Sequence, residues 1–266
     1  MAAAHGEQSV DIDTSVAHPA RVYDYWLGGT NNFPADREAA ERVLAATPGL
    51  RERVRAGRKF LVRVVRYLAG PAGIRQFLDL GTGIPSANNT HEVAQSVDPS
   101  ARVVYVDNDP IVAMHARALL TSTREGSTHY IQADLRDPGP ILEEARQTLD
   151  FEQPIAVMLL GVLHLVADDE DPWGIVERLM AAVPVGSYLA ISHPALEIHP
   201  GQEEAQRRYN ERVATPQTLR TQDSVARFFA NLEFVEPGLV QVHQWRPDEE
   251  VLDAPTAHGG LARKIL

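Results

Sequence analysis

Phe77-Leu78-Asp79-Leu80-Gly81-Thr82-Gly83-Ile84-Pro85 is the stretch that decides the fold. An apolar run ends in a glycine turn, and helical text follows, which is the pattern of a strand entering a tight turn before a helix. Gly81 and Gly83 let the backbone bend sharply and let a ligand approach where a side chain would block it. A dinucleotide fingerprint would place a third glycine at position 86, where this chain has Ser86. Asp79 sits two residues before the first glycine. A carboxylate there suits a ligand ammonium better than a pyrophosphate, which a helix N-terminus would hold. The competing interpretation is an ordinary strand-to-helix turn.

Outward from this turn, strands and helices alternate. Strands are expected at 74–80, 102–106, 128–133, 155–160 and 186–192, with the last ones from 233–245 and 260–265. Between them the periodicity predicts helices to about Val97, over 110–120, 139–149 and 172–183, then 201–213 and 222–232. The run 155–160 is apolar throughout, as in a strand buried on both faces. Such alternation predicts an α/β fold with a mostly parallel, doubly wound sheet and a ligand edge at the strand carboxyl ends. Ahead of the sheet, residues 1–17 are expected as an arm and 18–70 as a helical cap, leaving 71–266 as the ligand-binding domain.

Two more acids follow the logic of Asp79. Asp107, in Val103-Val104-Tyr105-Val106-Asp107-Asn108-Asp109, ends the second strand, where its two oxygens can accept both hydroxyls of a ribose. Asp109 is expected to cap the helix that begins at Pro110. Asp134, in Gln132-Ala133-Asp134-Leu135, ends the third strand, where it can accept from an adenine amino group. Each acid alone could be a cap. Three at successive strand ends carry more weight than any one.

Composition limits the chemistry. The 266 residues are 44% hydrophobic, enough for a sizeable core, and contain no cysteine, so disulfides and thiolate chemistry are excluded. A net charge of −11 disfavours nucleic acid as a partner. No run of about 18 apolar residues suggests a membrane span, and Met1–Val10 does not read as a leader, so the expected location is the cytoplasm. The arginines of the run 51–66, such as Arg51, Arg55 and Arg58, read as a solvated helix face. Pro194 and Pro200 interrupt the spacing of His193, Glu197 and His199, so no metal is expected.

These motifs, together with His18-Pro19-Ala20-Arg21-Val22-Tyr23-Asp24-Tyr25, Tyr105–Pro110 and Ala133–Pro138, carry a resemblance. Residues 74–192 resemble class I methyltransferases that use S-adenosylmethionine (SAM). From about His18 to Lys264 the chain is similar to the actinobacterial S-adenosyl methyltransferase family, formerly a domain of unknown function. The family would place a glycine nearer position 88 than Ser86-Ala87-Asn88-Asn89-Thr90 does, and the tail His258–Lys264 departs slightly. The resemblance implies a Rossmann-like, seven-stranded sheet with the last strand antiparallel, an N-terminal helical cap, SAM as cofactor and S-adenosylhomocysteine (SAH) as product. The cofactor-binding residues expected are Tyr23, Tyr25, Asp79, Gly81, Thr82, Gly83, Asp107, Asn108, Asp134, Leu135 and Gly161.

Tyr23, Tyr25, Trp26 and Phe33 are four of 17 aromatic residues. An aromatic face over the sulfonium would contribute about 0.5–2 kcal/mol, and the alternative is that the rings only anchor the cap. Past the fourth strand no Asn-Pro-Pro-Tyr-like motif follows, which argues against adenine-N6 or glutamine-amide methylation. Lack of cysteine excludes covalent cytosine-C5 chemistry. His164 and His193, just past the fourth and fifth strands, are the candidate bases for an oxygen acceptor, against the alternative of structural histidines. The expectation is a small-molecule O or N acceptor, such as a secondary metabolite. The alternatives are a catalytically silent SAM-binding sensor and an NAD-dependent oxidoreductase, which Ser86 and Asp79 disfavour.

Overall fold

A computed structural model describes residues 13–119, 121–196, 206–207, 210, 215–248 and 257–266. The chain opens with three helices, α1 (Pro19–Leu27), α2 (Pro34–Ala46) and α3 (Leu50–Ala69). Pro19 and Pro34 start the first two where a missing N–H costs nothing. Alternation then runs β1 (Gln76–Leu80), α4 (Thr90–Val97), β2 (Arg102–Asp107), α5 (Pro110–Leu119), β3 (Ser127–Gln132), α6 (Pro138–Ala145), β4 (Ala156–Leu160), α7 (Pro172–Ala181) and β5 (Tyr188–His193). The short helix α8 (Gln222–Ala226) precedes β6 (Leu232–Phe234), β7 (Val240–Gln241) and β8 (His258–Lys264).

Seven strands form one sheet in the order β3-β2-β1-β4-β5-β8-β6, and β7 adds an eighth by pairing with β8. Strands β1 to β5 run parallel. The final strand, β8, is antiparallel to β5 and β6. The parallel strands therefore end together on one edge, as expected for a Rossmann-like sheet.

One apolar layer covers each face of this sheet. Leu78, Val104, Val157 and Leu189 pack with α6 and α7 on one side, and Phe77, Val103, Ala156 and Ala190 pack with α3 and α4 on the other. Helix α3 spans two environments. Its Phe60, Val64, Val65 and Leu68 belong to the sheet core, whereas Val54 joins Val22, Trp26, Ala39 and Ala40 in a cluster with α1 and α2.

The polar residues of the α1–α2 segment are mostly structural. Asp36 is fully buried and accepts the His18 N–H at 2.9 Å and the Phe33 N–H at 2.8 Å, with Arg21 beside it. Asp24 accepts the Asn31 N–H at 2.9 Å and Asn32 Nδ2 at 2.8 Å. Arg21 also ties down the preceding segment through the carbonyls of Asp13 and Val16.

Several elements differ from expectation. The expected strand 233–245 is divided into β6, β7 and a 3-10 turn at Val242–Gln244, because Pro237 has no N–H to donate and Gly238 takes a φ of +89°. The helix after β1 starts only at Thr90, with loop over the preceding residues. The helix expected at 222–232 is α8 followed by a 3-10 turn to Phe229. Most of the helix expected at 201–213, the first twelve residues of the expected arm, and Glu197 and His199 lie outside the described residues.

Candidate active site

The turn after β1 is held from both sides. Gly81 and Thr82 donate their N–H groups to Val106 O at 2.8 and 3.3 Å, joining the turn to β2. Gly81 has a φ of +72°, and a Cβ there would fall 2.2 Å from Val162 Cγ2. Gly83 (φ +65°) and Gly161 (φ +73°) have open space where a Cβ would be. Thr82 sits between the two glycines of the turn. Asn88 takes a φ of +61°, close to where the family resemblance places a glycine, and asparagine tolerates that conformation.

Asp79 lies beneath this turn, buried, with Thr90 Oγ1 donating to its Oδ2 at 2.6 Å. Burial pushes its pKa up to about 6, although Thr90 and the Arg58 guanidinium offset part of the effect. A desolvated carboxylate with one neutral donor and no ion pair among the described residues is chemically suited to a cation.

Asp107 closes β2 with Oδ2 accepting the Gly83 N–H at 2.8 Å and Oδ1 accepting the Asp109 N–H at 3.0 Å. Burial raises its pKa despite those two donors. Asp109 caps α5 as expected, accepting the Ile111 N–H at 2.8 Å. Burial alone would raise the Asp109 pKa, but the adjacent His18, with the Ile111 N–H and Arg21, outweighs it and holds the carboxyl below its usual value. Asp134 is exposed and paired with Arg136 at 3.0 Å, and Arg136 reaches Glu170 at 2.6 Å.

At the end of β4, Gly161 donates its N–H to Ser192 O at 2.9 Å, and a 3-10 turn places His164. Burial, reinforced by Arg220, pulls the His164 pKa down to about 4, and among the described residues its Nδ1 has no hydrogen-bond partner. His193 is fully buried, with its pKa lowered to about 3 by burial first and then by His164.

A single cavity of about 860 Å³ runs along this edge and beneath α1, α2 and α3. Among the expected site residues, Tyr23, Asp79, Gly81, Thr82, Gly83, Asp107, Asn108, Asp134, Leu135, Gly161 and His164 all line it. Tyr25 and His193 do not. The Tyr25 hydroxyl turns outward to Glu41, with Arg51 over its ring. His193 lies behind the wall, and both of its nitrogens are engaged: Nδ1 is 2.9 Å from Pro194 O and Nε2 is 3.0 Å from Arg220 Nη1. Trp26 lines the cavity from the α1 side, whereas Phe33 packs with Ile84 and Ile111. Among the described residues, no group of three His, Asp or Glu could hold a metal ion.

Three contributors were not read from the sequence. Thr90 reaches Asp79 across 11 positions, a pairing without local signal. Arg58, expected on the solvated face, lines the cavity and donates to Ala87 O and Asn88 O at 3.0 Å each. Arg220 is a buried anchor, donating to Leu163 O and Val166 O at 2.8 Å each and to Asp168 Oδ1 at 2.7 Å.

A family model described as S-adenosyl methyltransferase matches residues 5–265. A solved DUF574 family protein from Streptomyces avermitilis MA-4680 is 47% identical, with a TM-score of 0.91 over 95% of this chain and 99% of that one. A protein of Thermobifida fusca YX, provisionally named a methyltransferase, is 44% identical, with a TM-score of 0.89 over 96% and 97% of the two chains. A SAM-dependent methyltransferase from Anabaena variabilis ATCC 29413, at 11% identity, shares the fold, with a TM-score of 0.51 over 97% of this chain and 100% of that one. No curated protein matches the sequence.

Proposed function

The chain belongs to the S-adenosyl methyltransferase family, and on that premise we propose that it methylates an oxygen or nitrogen of a small molecule that shares one cavity with SAM. The enzyme is a SAM-dependent methyltransferase, and its residues fit that group. The observation that carries the small-molecule reading is the cavity itself, about 860 Å³ and continuous from Asp79 and Asp107 to the apolar space under α1–α3. That is near the upper end of the roughly 300–1,000 Å³ of small-molecule pockets, with room for a nucleoside and a second small ligand.

SAM supplies a methyl carbon on a sulfonium, which leaves as the neutral thioether SAH when an acceptor lone pair displaces it. In our reading Asp79 holds the ammonium, Asp107 and Asn108 the ribose, and Asp134 with Leu135 the adenine. Gly81, Thr82, Gly83 and Gly161 leave the backbone room to approach. Tyr23 stands in the cavity wall, where its ring can face the sulfonium. His164 is neutral at pH 7, so it can accept a hydrogen bond from the acceptor and orient it. Burial and Arg220 both oppose a full positive charge there, so the displaced proton passes on to solvent. Most of the rate then comes from positioning two reactants and excluding water, with residues 18–70 acting as the cap.

No described helix is long and apolar enough to cross a membrane, and we place the reaction in the cytoplasm. The test is titration calorimetry with SAM, SAH and NAD on wild type and Asp107→Ala, followed by SAH release with small phenols and amines or with RNA. Micromolar SAM and SAH binding lost in the variant, with SAH release driven by the small molecules, is expected. SAH release driven only by RNA would overturn the small-acceptor reading.

A further inference from the structure

The part of the cavity beyond the strand edge has its own chemistry. Its walls are Trp26, Ala39, Val43, Leu50, Val54 and Leu61, so it favours an apolar body. Gly57, inside α3, adds space. A Cβ there would meet only the Tyr23 hydroxyl, at 3.8 Å, and a helix-interior glycine costs about 0.5–1 kcal/mol relative to alanine.

Two arginines, Arg42 and Arg53, interrupt this apolar wall, and Arg58 also lines the cavity, where it donates to the Ala87 and Asn88 carbonyls. Arg53 lines the chamber, and its only hydrogen bond among the described residues runs from Nη2 to Pro48 O at 2.9 Å. Among the described residues its Nε is buried without a partner, and no carboxylate lies within ion-pairing distance of the guanidinium. Burial pulls its pKa down, and exposed Glu52 offsets only part of that. The other arginine near this end, Arg42, is already paired with Glu38 at 2.8 Å on an exposed surface. A half-buried guanidinium with unused donors is arranged to receive a planar anion.

We propose that the chamber under α1, α2 and α3 is the acceptor subsite, and that it takes an apolar molecule bearing a carboxylate, which Arg53 pairs. A carboxylate fits better than a phosphate. A single unpaired guanidinium neutralises one charge, and a second negative charge would be desolvated among apolar side chains. This rests on the methyltransferase reading, since it assigns the acceptor end of the same cavity. Anchoring the carboxylate at Arg53 leaves the acceptor's far end to reach toward His164 and the strand edge.

The experiment uses SAH-saturated protein titrated with naphthalene-2-carboxylate and with naphthalene-2-carboxamide, in wild type, Arg53→Gln, Arg53→Lys and Arg42→Gln. SAH affinity is measured in each variant as the check on folding. The acid should bind at least about tenfold tighter than the amide. That preference should vanish in Arg53→Gln, survive in part in Arg53→Lys and persist in Arg42→Gln, with SAH affinity unchanged throughout. Equal binding of acid and amide, no binding of the acid at millimolar concentration, or a preference that survives Arg53→Gln would overturn the proposal. Loss of SAH binding by the wild type would instead overturn the methyltransferase reading beneath it.

Discussion

His18 Nδ1 stands 2.8 Å from Asp109 Oδ2, joining the residue that precedes α1 to the loop that ends β2. The contact bridges 91 positions of sequence and falls next to Asp107, the carboxylate we assign to the ribose, because the Asp109 N–H donates to Asp107 Oδ1. His18 is also the residue before α1, where its carbonyl accepts the Val22 N–H at 3.0 Å, and its backbone N–H goes to buried Asp36. The start of α1 and the shape of the β2 loop are therefore parts of one network.

Removing the imidazole tests that coupling. His18→Ala should lower stability by about 1 kcal/mol, a modest value because His18 is partly exposed. It should also weaken SAH binding severalfold through the loop of Asp107. Urea unfolding and SAH titration measure the two effects. A stability loss with unchanged SAH affinity would mean that the cap and the ribose end are independent.

Asp79 predicts a pH dependence of cofactor binding. Its folded-state pKa of about 6 is raised by burial, so the free protein takes up a proton there as pH falls through 6. If the ionised form holds the SAM ammonium, affinity should be flat above about pH 7 and fall toward tenfold per unit below 6. Asp79→Asn should bind at least about tenfold more weakly and lose the dependence. Calorimetric titrations from pH 8 to 5 decide it, and a wild-type affinity flat across that range would remove Asp79 from the ammonium site.

What could be read from sequence depended on whether the determinant was local. The Gly81–Gly83 turn, the acids at the ends of β1, β2 and β3, and the buried run of β4 all have signals within a few residues. So does Pro110 opening α5 behind its cap, Asp109. The segment 233–245 reads as strand, yet Pro237 and Gly238 divide it, because proline has no N–H to give a ladder bond. Arg58 and Arg220 could not be assigned by pattern. On a helical wheel Arg58 resembles Arg51 and Arg55, and its partners are carbonyls near position 88. Arg220 reaches carbonyls more than fifty positions away. Tyr23 and Tyr25 look equivalent in sequence, and only helical geometry turns one inward and the other toward Glu41.

Gly81 should tolerate no side chain. An added methyl would meet Val162 at 2.2 Å, and a φ of +72° is unfavourable for alanine. Together these should make Gly81→Ala destabilising by about 2–5 kcal/mol. Adding Val162→Ala should recover only part of the steric cost, since the remaining Val162 Cβ lies 2.4 Å from the added methyl, and none of the backbone part, giving a non-additive double-mutant cycle. Urea unfolding of both single variants and the double variant measures it, and strict additivity would show that the β1 and β4 turns do not press on each other.

His193 gives the protein an acid sensitivity of its own. Arg220 Nη1 donates to its Nε2 and its Nδ1 faces Pro194 O, so the ring is neutral and its one N–H sits on Nδ1. A second proton would place two donors against each other. The folded pKa is therefore depressed, to about 3, below the unfolded value of about 6.5. Depression of a base means that the unfolded chain binds a proton that the folded chain refuses. Stability is then full above about pH 6.5 and falls with acidification, by up to about 1.4 kcal/mol per pH unit for each such histidine. His164, pulled to about 4, adds to the slope, and Asp79, whose folded pKa is raised, opposes it below about 6. Comparison with His193→Gln isolates one contribution from this sum. Urea unfolding from pH 8 to 5 should give a shallower slope in the variant than in wild type, and equal slopes would mean that His193 accepts its second proton in the folded protein.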